Sequence, residues 1–213
     1  MQYWQEFHTN PSATRLWRDT YDAAMPDGTF LRLPLRDLGT TAIAGMIANQ
    51  ASFSVVDALS AWIAARARPL APDVVVGLPT LGHVYGSGVA RALGHTNWVA
   101  LGTSRKLWYD EALSVPLASI TSPQAGRRLW LDPRILDRLA GRRILLVDDV
   151  ISTGTSARAG LAVLAAAGLK PVGFGCAMEQ TQRWRADWPA DVPVISAFRT
   201  PLFRRDGEGW SET

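Results

Sequence analysis

Two acids stand side by side at Asp148 and Asp149, directly after the apolar run Ile144-Leu145-Leu146-Val147 and just before Val150-Ile151-Ser152-Thr153-Gly154-Thr155-Ser156. An unbroken apolar run without alternation reads as a strand covered on both faces of a parallel sheet. Acids at the carboxyl end of such a strand lie at the rim where open α/β sheets bind ligands, and a pair of them can accept hydrogen bonds from a vicinal diol. Ser152, Thr153, Thr155 and Ser156 add hydroxyls, Gly154 permits a tight turn, and residues 157–167 have the composition and apolar spacing of a helix. The turn thus brings hydroxyls and free backbone N–H groups to a helix N-terminus, where the first amides lack an intrahelical acceptor and the dipole favours an anion. Diol and anion recognition in one contiguous stretch point to a phosphorylated sugar. Taken singly, Asp149 or Ser152 would read as a helix cap; the reading rests on the whole string. No Gly-Lys-Ser/Thr and no Gly-x-Gly-x-x-Gly follows this strand, so a P-loop and a dinucleotide fingerprint are set aside.

Other elements must carry this stretch. Apolar runs bounded by turn residues predict strands over Val74–Val76, Trp98–Leu101, Arg143–Asp148, Pro171–Met178 and Val192–Ala197. Helices are expected over Ser54–Arg68, with Pro69 as the stop, from about Gly82 to Leu93, and over Thr155–Ala167. Strands alternating with helices imply right-handed crossovers, hence an α/β fold with a mainly parallel central sheet flanked by helices. Residues 1–50 read as irregular strands and turns, with a turn at Met25–Gly28 and a short strand over Phe30–Leu35. The expected organisation is an N-terminal segment 1–50, a core 51–200 and a C-terminal tail 201–213, with no internal repeat or low-complexity linker. Residues 103–128 show weak periodicity, and loops of that length in compact domains are usually functional lids or disordered.

Composition narrows the function classes. The 213 residues, 47% hydrophobic, suffice for one large domain with a sizeable core. A net charge of +3 with scattered arginines does not argue for nucleic acid, and suits a polyanionic small substrate. The lone Cys176 excludes an intramolecular disulfide and reads as a small buried hydrophobe. No stretch reaches the length of a membrane span and the first residues lack a signal-peptide pattern, so a cytoplasmic protein without membrane contact is expected. His8, His83 and His95 lack metal-ligand spacing and read as surface or loop histidines; no dedicated protein metal site is expected.

The string from Ile144 to Ser156 resembles the phosphoribosyl-pyrophosphate (PRPP) motif of the type I phosphoribosyltransferases, and the order of elements over residues 72–200 is similar to that family, closest to the adenine phosphoribosyltransferases. The resemblance implies an enzyme of purine salvage that transfers the 5-phosphoribosyl group of PRPP to a nucleobase nitrogen and releases pyrophosphate. PRPP would lie against Asp148, Asp149, Ile151, Ser152, Thr153, Gly154, Thr155 and Ser156. The loop Gly77–Gly82, with Leu78, Pro79, Thr80 and Leu81, takes the place where backbone amides hold the pyrophosphate. Adenine enzymes carry an arginine where this chain has Leu81, so one pyrophosphate contact is missing or supplied from elsewhere. Arg105 and Lys106 resemble the basic pair of the loop that closes over PRPP. Glu111 would act as acid/base at the purine or stabilise developing positive charge, and otherwise is a solvated loop carboxylate. Mg²⁺ would be carried mainly by PRPP.

The base would sit under a small variable hood, for which residues 1–50 and the tail after 198 are candidates. Glu179, after the strand Pro171–Met178, matches the place where hypoxanthine-guanine enzymes use a lysine; an ionised carboxylate accepts from an amino group, which favours adenine. The competing reading of Glu179 is a salt bridge to Arg183. Trp4, Trp17 and Phe198 are candidates for an aromatic platform. A PRPP-sensing regulator and an orotate or other pyrimidine enzyme are the alternatives. The family implies a homodimer.

Overall fold

The computed structural model describes residues 3–14, 16–117 and 127–213. In chain order the strands are β1 Phe7–His8, β2 Thr20–Ala24, β3 Phe30–Asp37, β4 Thr41–Ala44, β5 Val74–Gly77, β6 Val99–Ala100, β7 Ser114–Pro116, β8 Arg128–Trp130, β9 Ile144–Ile151, β10 Pro171–Gln180, β11 Val194–Thr200, β12 Leu202–Asp206 and β13 Gly209–Glu212. The α-helices are α1 Phe53–Ala67, α2 Gly82–Leu93 and α3 Thr155–Ala166.

Five strands form one sheet in the order β11-β10-β9-β5-β6, and every pairing in it is parallel. The chain builds outward from β5 to β6, then returns to the other side of β5 for β9, β10 and β11. The reversal of strand order lies between β5 and β9, and ligands of open α/β sheets bind outside the carboxyl ends at such a point. Burial on both faces explains the apolar runs. Val75, Leu145, Val147 and Ala177 enter the core shared with α1 and α2, whereas Val76, Ile144, Leu146, Phe174 and Cys176 enter the one shared with α3. Cys176 is buried, with burial raising its thiol pKa.

Local signals set the helix ends. Ser52 Oγ accepts from the Val55 amide at the start of α1. The helix stops at Ala67, two residues before Pro69, and a 3₁₀ turn over Arg68–Leu70 follows. Gly94, at φ 87°, closes α2 in the left-handed conformation.

The two ends of the chain share a second, antiparallel sheet. Its order is β1-β3-β4-β12-β13, with β2 paired to β3. Leu202 stands opposite Ile43, and an isolated bridge joins Trp17 to Trp210. Leu31 and Leu33 point into its core while Arg32 between them pairs with Asp22, the period-2 alternation of a half-covered strand. Residues 201–213 thus carry a hairpin, β12 and β13, built into the same sheet as β1 to β4. Trp4, Trp17 and Phe198 are buried in the adjoining core, and the Trp4 and Trp17 indoles donate to Gly45 O and Glu212 Oε1. They are packing residues, and no exposed aromatic platform is built from them.

Candidate active site

The carboxyl ends of β5 and β9 bring the two loops together. Gly77 is paired with Val147, and the Leu78 amide donates to Val147 O at 2.8 Å. The next strand residue, Asp148, meets the first turn of α2 at such close range that a Cβ on Gly82 would stand 2.6 Å from its Oδ1 and 2.8 Å from its Cα. Glycine is required at 82 by this approach. Asp148 Oδ1 accepts the Asp149 amide at 2.9 Å. Burial, and then the charge of Asp149, raise the Asp148 pKa well above the usual carboxylate range; burial also raises that of the half-buried Asp149. Two acids so placed share their charge reluctantly and favour hydroxyl donors as neighbours.

The turn after β9 has the form the sequence suggests. Ile151 ends the strand, Gly154 adopts φ 77° as the residue before α3, and Thr153 Oγ1 and Thr155 Oγ1 lie 3.0 Å apart. Ser152, Thr153 and Thr155 are half-buried and Ser156 is exposed at the helix start. Arg158 was not singled out from sequence, yet its Nη1 donates to Thr153 O at 3.0 Å, bringing a guanidinium to the turn. The available signal was its place four residues after Gly154, where a side chain on a helix covers the preceding turn.

In the first loop, Leu78 is buried and the Pro79–Thr80 peptide bond is cis. Leu81 packs against the apolar core and brings no charge. His83 is not a surface residue: its half-buried ring bonds Leu101 O at 2.9 Å, and burial lowers its pKa, keeping it neutral. His95 bonds Pro72 O, and His8 lies 3.3 Å from Asp22.

Within the stretch 103–128, the described residues 103–117 and 127–128 carry regular structure. A 3₁₀ turn over Glu111–Leu113 leads into β7, which pairs antiparallel with β8, and Leu113 and Leu129 join the core against α3. The part of the expected lid over 118–126 lies outside the described residues. Arg105 and Glu111 come together as an ion pair at 2.6 Å. Lys106 and Leu107 lie beside Trp108, whose indole donates to Asp132 Oδ2 while Arg134 stacks 4.0 Å over its ring.

Glu179 is buried, and its partners differ from the one expected. Oε1 meets Arg185 at 3.4 Å, and Oε2 meets Arg199 at 2.8 Å and Ser196 Oγ at 3.3 Å. Arg183 is not its partner, because Glu179 sits on a strand rather than a helix and helical spacing does not apply. The carboxylate also borders a cleft of about 660 Å³ with Thr181, Gln182, Arg199, Thr200 and Leu202, at the carboxyl ends of β10 and β11.

A family model, the phosphoribosyl transferase domain, matches residues 44–198. The adenine phosphoribosyltransferase of Xanthomonas euvesicatoria pv. vesicatoria is 32% identical over 138 residues, which are 62% of this chain and 67% of that protein. The orotate phosphoribosyltransferase of Laribacter hongkongensis is 35% identical over 60 residues, 28% of each chain. Among solved structures, adenine phosphoribosyltransferase from Rhodothermus marinus superimposes with a TM-score of 0.55 at 23% identity, over 70% of this chain and 81% of that one, a likeness of fold. The family match spans β5, the loop to α2, the acid pair, the turn before α3 and all of β10, so the chain belongs to the phosphoribosyltransferase family.

Proposed function

We propose that this phosphoribosyltransferase transfers the 5-phosphoribosyl group of PRPP to a ring nitrogen of adenine, releasing pyrophosphate, as a salvage reaction. The observation that carries the PRPP site is the contiguous unit of acid pair, hydroxyl-bearing turn and helix N-terminus at the sheet's reversal point. The 5-phosphate lies on the turn Ser152–Ser156, held by first-turn amides of α3 and the Thr153 and Thr155 hydroxyls. Asp148 and Asp149 accept from the ribose hydroxyls. The pyrophosphate meets the loop Leu78–Leu81, and Arg105 and Lys106 supply positive charge to it. No protein nucleophile is needed. Attack at ribose C1 builds positive charge on the sugar and negative charge on the leaving group, so positioning and electrostatics carry the rate.

The donor set is compatible with a magnesium ion arriving on PRPP. Two carboxylates stand beside the ribose position, and among the described residues no cluster of three or more His, Cys, Asp or Glu forms a cage. Asp149, the more exposed of the pair, would hold it through water. The ion would supply positive charge to the pyrophosphate oxygens.

Adenine is favoured because the adenine relative aligns over most of its length whereas the orotate relative aligns over a short stretch. Each Glu179 oxygen has two acceptor positions, so the carboxylate retains capacity for an amino group beside its ion pairs. The Glu179 cleft is the place proposed for the base. The homodimer belongs to this reading, with Ile47 and Phe53 as large exposed apolar side chains, as does a cytoplasmic location. Among the described residues no helix is long and apolar enough to cross a membrane.

The test is kcat/KM with PRPP for adenine, hypoxanthine, guanine, xanthine, orotate and uracil. Adenine is expected to win. Preference for an oxopurine or pyrimidine refutes the Glu179 argument and leaves the PRPP site standing. PRPP binding without transfer to any base supports the sensing role, a reading favoured by the absence of a cation at Leu81.

A further inference from the structure

Two guanidinium groups stand over one indole at the root of the loop, with a carboxylate beside them. Arg105 and Arg128 stand over Trp130, with their guanidinium carbons 5.5 and 5.8 Å from the ring centroid. Glu111 lies between them, 2.6 Å from Arg105 and 4.0 Å from Arg128. Arg128 is tied down by bonds from Nε to Ser114 Oγ and from Nη2 to Ser114 O, and Trp130 by a two-way backbone bridge to Gly102. Among the described residues Arg105 has only the carboxylate and the ring face, and its side chain is 56% exposed. The cluster therefore has fixed members, Trp130 and Arg128, and one detachable cation.

We propose that Glu111 is the resting counter-ion of Arg105, and that PRPP binding is an exchange in which Arg105 leaves Glu111 and Trp130 for the pyrophosphate oxygens. This rests on the reading of the loop as the segment that closes over PRPP. The chemistry favours exchange. A guanidinium forms bidentate bonds with phosphate oxygens as readily as with a carboxylate, and a polyanion outcompetes a single charge in an exposed pair. Glu111 does not lose its charge partner when Arg105 departs, because Arg128 remains beside it. In this account Glu111 is a positioning residue that sets the affinity for PRPP, and not the acid/base of the transfer. Glu111 also opens a 3₁₀ turn whose cap is Asp110, and the Ser114 hydroxyl bonds its backbone carbonyl, so Glu111→Gln preserves the local frame.

The experiment is calorimetric titration of PRPP with Mg²⁺ into the wild type, Glu111→Gln, Arg105→Ala and the double variant, with kcat measured alongside. Glu111→Gln is expected to tighten PRPP binding about two- to five-fold, the range of an exposed ion pair whose breaking no longer opposes the ligand. Arg105→Ala should weaken it, and the double variant should match Arg105→Ala. Unchanged or weaker binding in Glu111→Gln overturns the proposal. So does a hundredfold fall in its kcat, which would assign Glu111 to proton transfer. An Arg105→Ala variant indistinguishable from wild type in affinity and turnover refutes the loop reading itself, and the exchange with it.

Discussion

Replacing Gly82 by alanine tests how the acid pair is held. The added Cβ would stand 2.6 Å from Asp148 Oδ1, 2.8 Å from Asp148 Cα and 3.1 Å from Val147 O. Two of those atoms are backbone of β9, the central strand, and cannot rotate away. The start of α2 must lift, or the strand must yield, and overpacking of this kind costs about 1–3 kcal/mol. Alanine returns at most about 1 kcal/mol of helix propensity. A net loss of about 1–2 kcal/mol lowers Tm by about 2–8 °C for a chain of this size. PRPP binding should suffer more than stability alone implies, because the displaced atom is an oxygen assigned to the ribose hydroxyls. Loss of one charge-assisted bond, about 1.5–3 kcal/mol, corresponds to at least tenfold in Kd. Scanning calorimetry and PRPP titration on Gly82→Ala measure both effects. Gly45→Ala serves as the control, since its Cβ would meet ordinary contacts at 3.5 and 3.6 Å. Wild-type Tm together with wild-type PRPP affinity in Gly82→Ala would refute the close approach and the role drawn from it.

Thr153→Val and Thr155→Val should each weaken PRPP binding by about 1.5–3 kcal/mol, read by calorimetry, and unchanged affinity would remove the phosphate from the turn. Arg105→Ala and Lys106→Ala should lower kcat more than PRPP affinity, because the leaving group's charge develops in the transition state; a raised KM with unchanged kcat would count against this. Asp148→Asn should raise Tm near neutral pH while abolishing PRPP binding. Burial and the Asp149 charge raise the Asp148 pKa above its ordinary 3.8, so its contribution to stability is full below that value and is lost as pH rises through the folded value. The Tm gain of the variant should therefore shrink as pH is lowered through that range.

What could be read from sequence was local. The stretch Ile144–Ser156 holds strand, acids, turn and helix start within a few residues, and each is specified by neighbours in the chain. The same holds for Gly94 closing α2 and Pro69 stopping α1. Pairings between distant residues left no such signal. Glu179 finds Arg199 on the neighbouring strand and Arg185 in the 3₁₀ turn after its own strand, and no spacing in the chain points to either. Arg105 and Glu111 were both visible as charges, yet the Trp130 ring beneath Arg105 comes from β8, which pairs with β7. The strands of the antiparallel sheet were faint because β pairing is a tertiary property, with β4 answered by β12 far along the chain.

That last pairing has a consequence for synthesis. At the ribosome β3 and β4 emerge early, but the strand that covers the free side of β4 comes roughly 160 residues later. At translation rates of about 5–20 residues per second, that edge waits on the order of ten seconds or more for its neighbour. The parallel sheet, whose strands β5, β6, β9, β10 and β11 lie between those two segments, can assemble during the wait. The nascent chain would then hold a finished parallel sheet beside an incomplete antiparallel one, with an unpaired edge available to chaperones or to a neighbouring copy on the same message. Ribosome-stalled chains ending before and after residue 202 would show the difference as protease sensitivity confined to the first fifty residues.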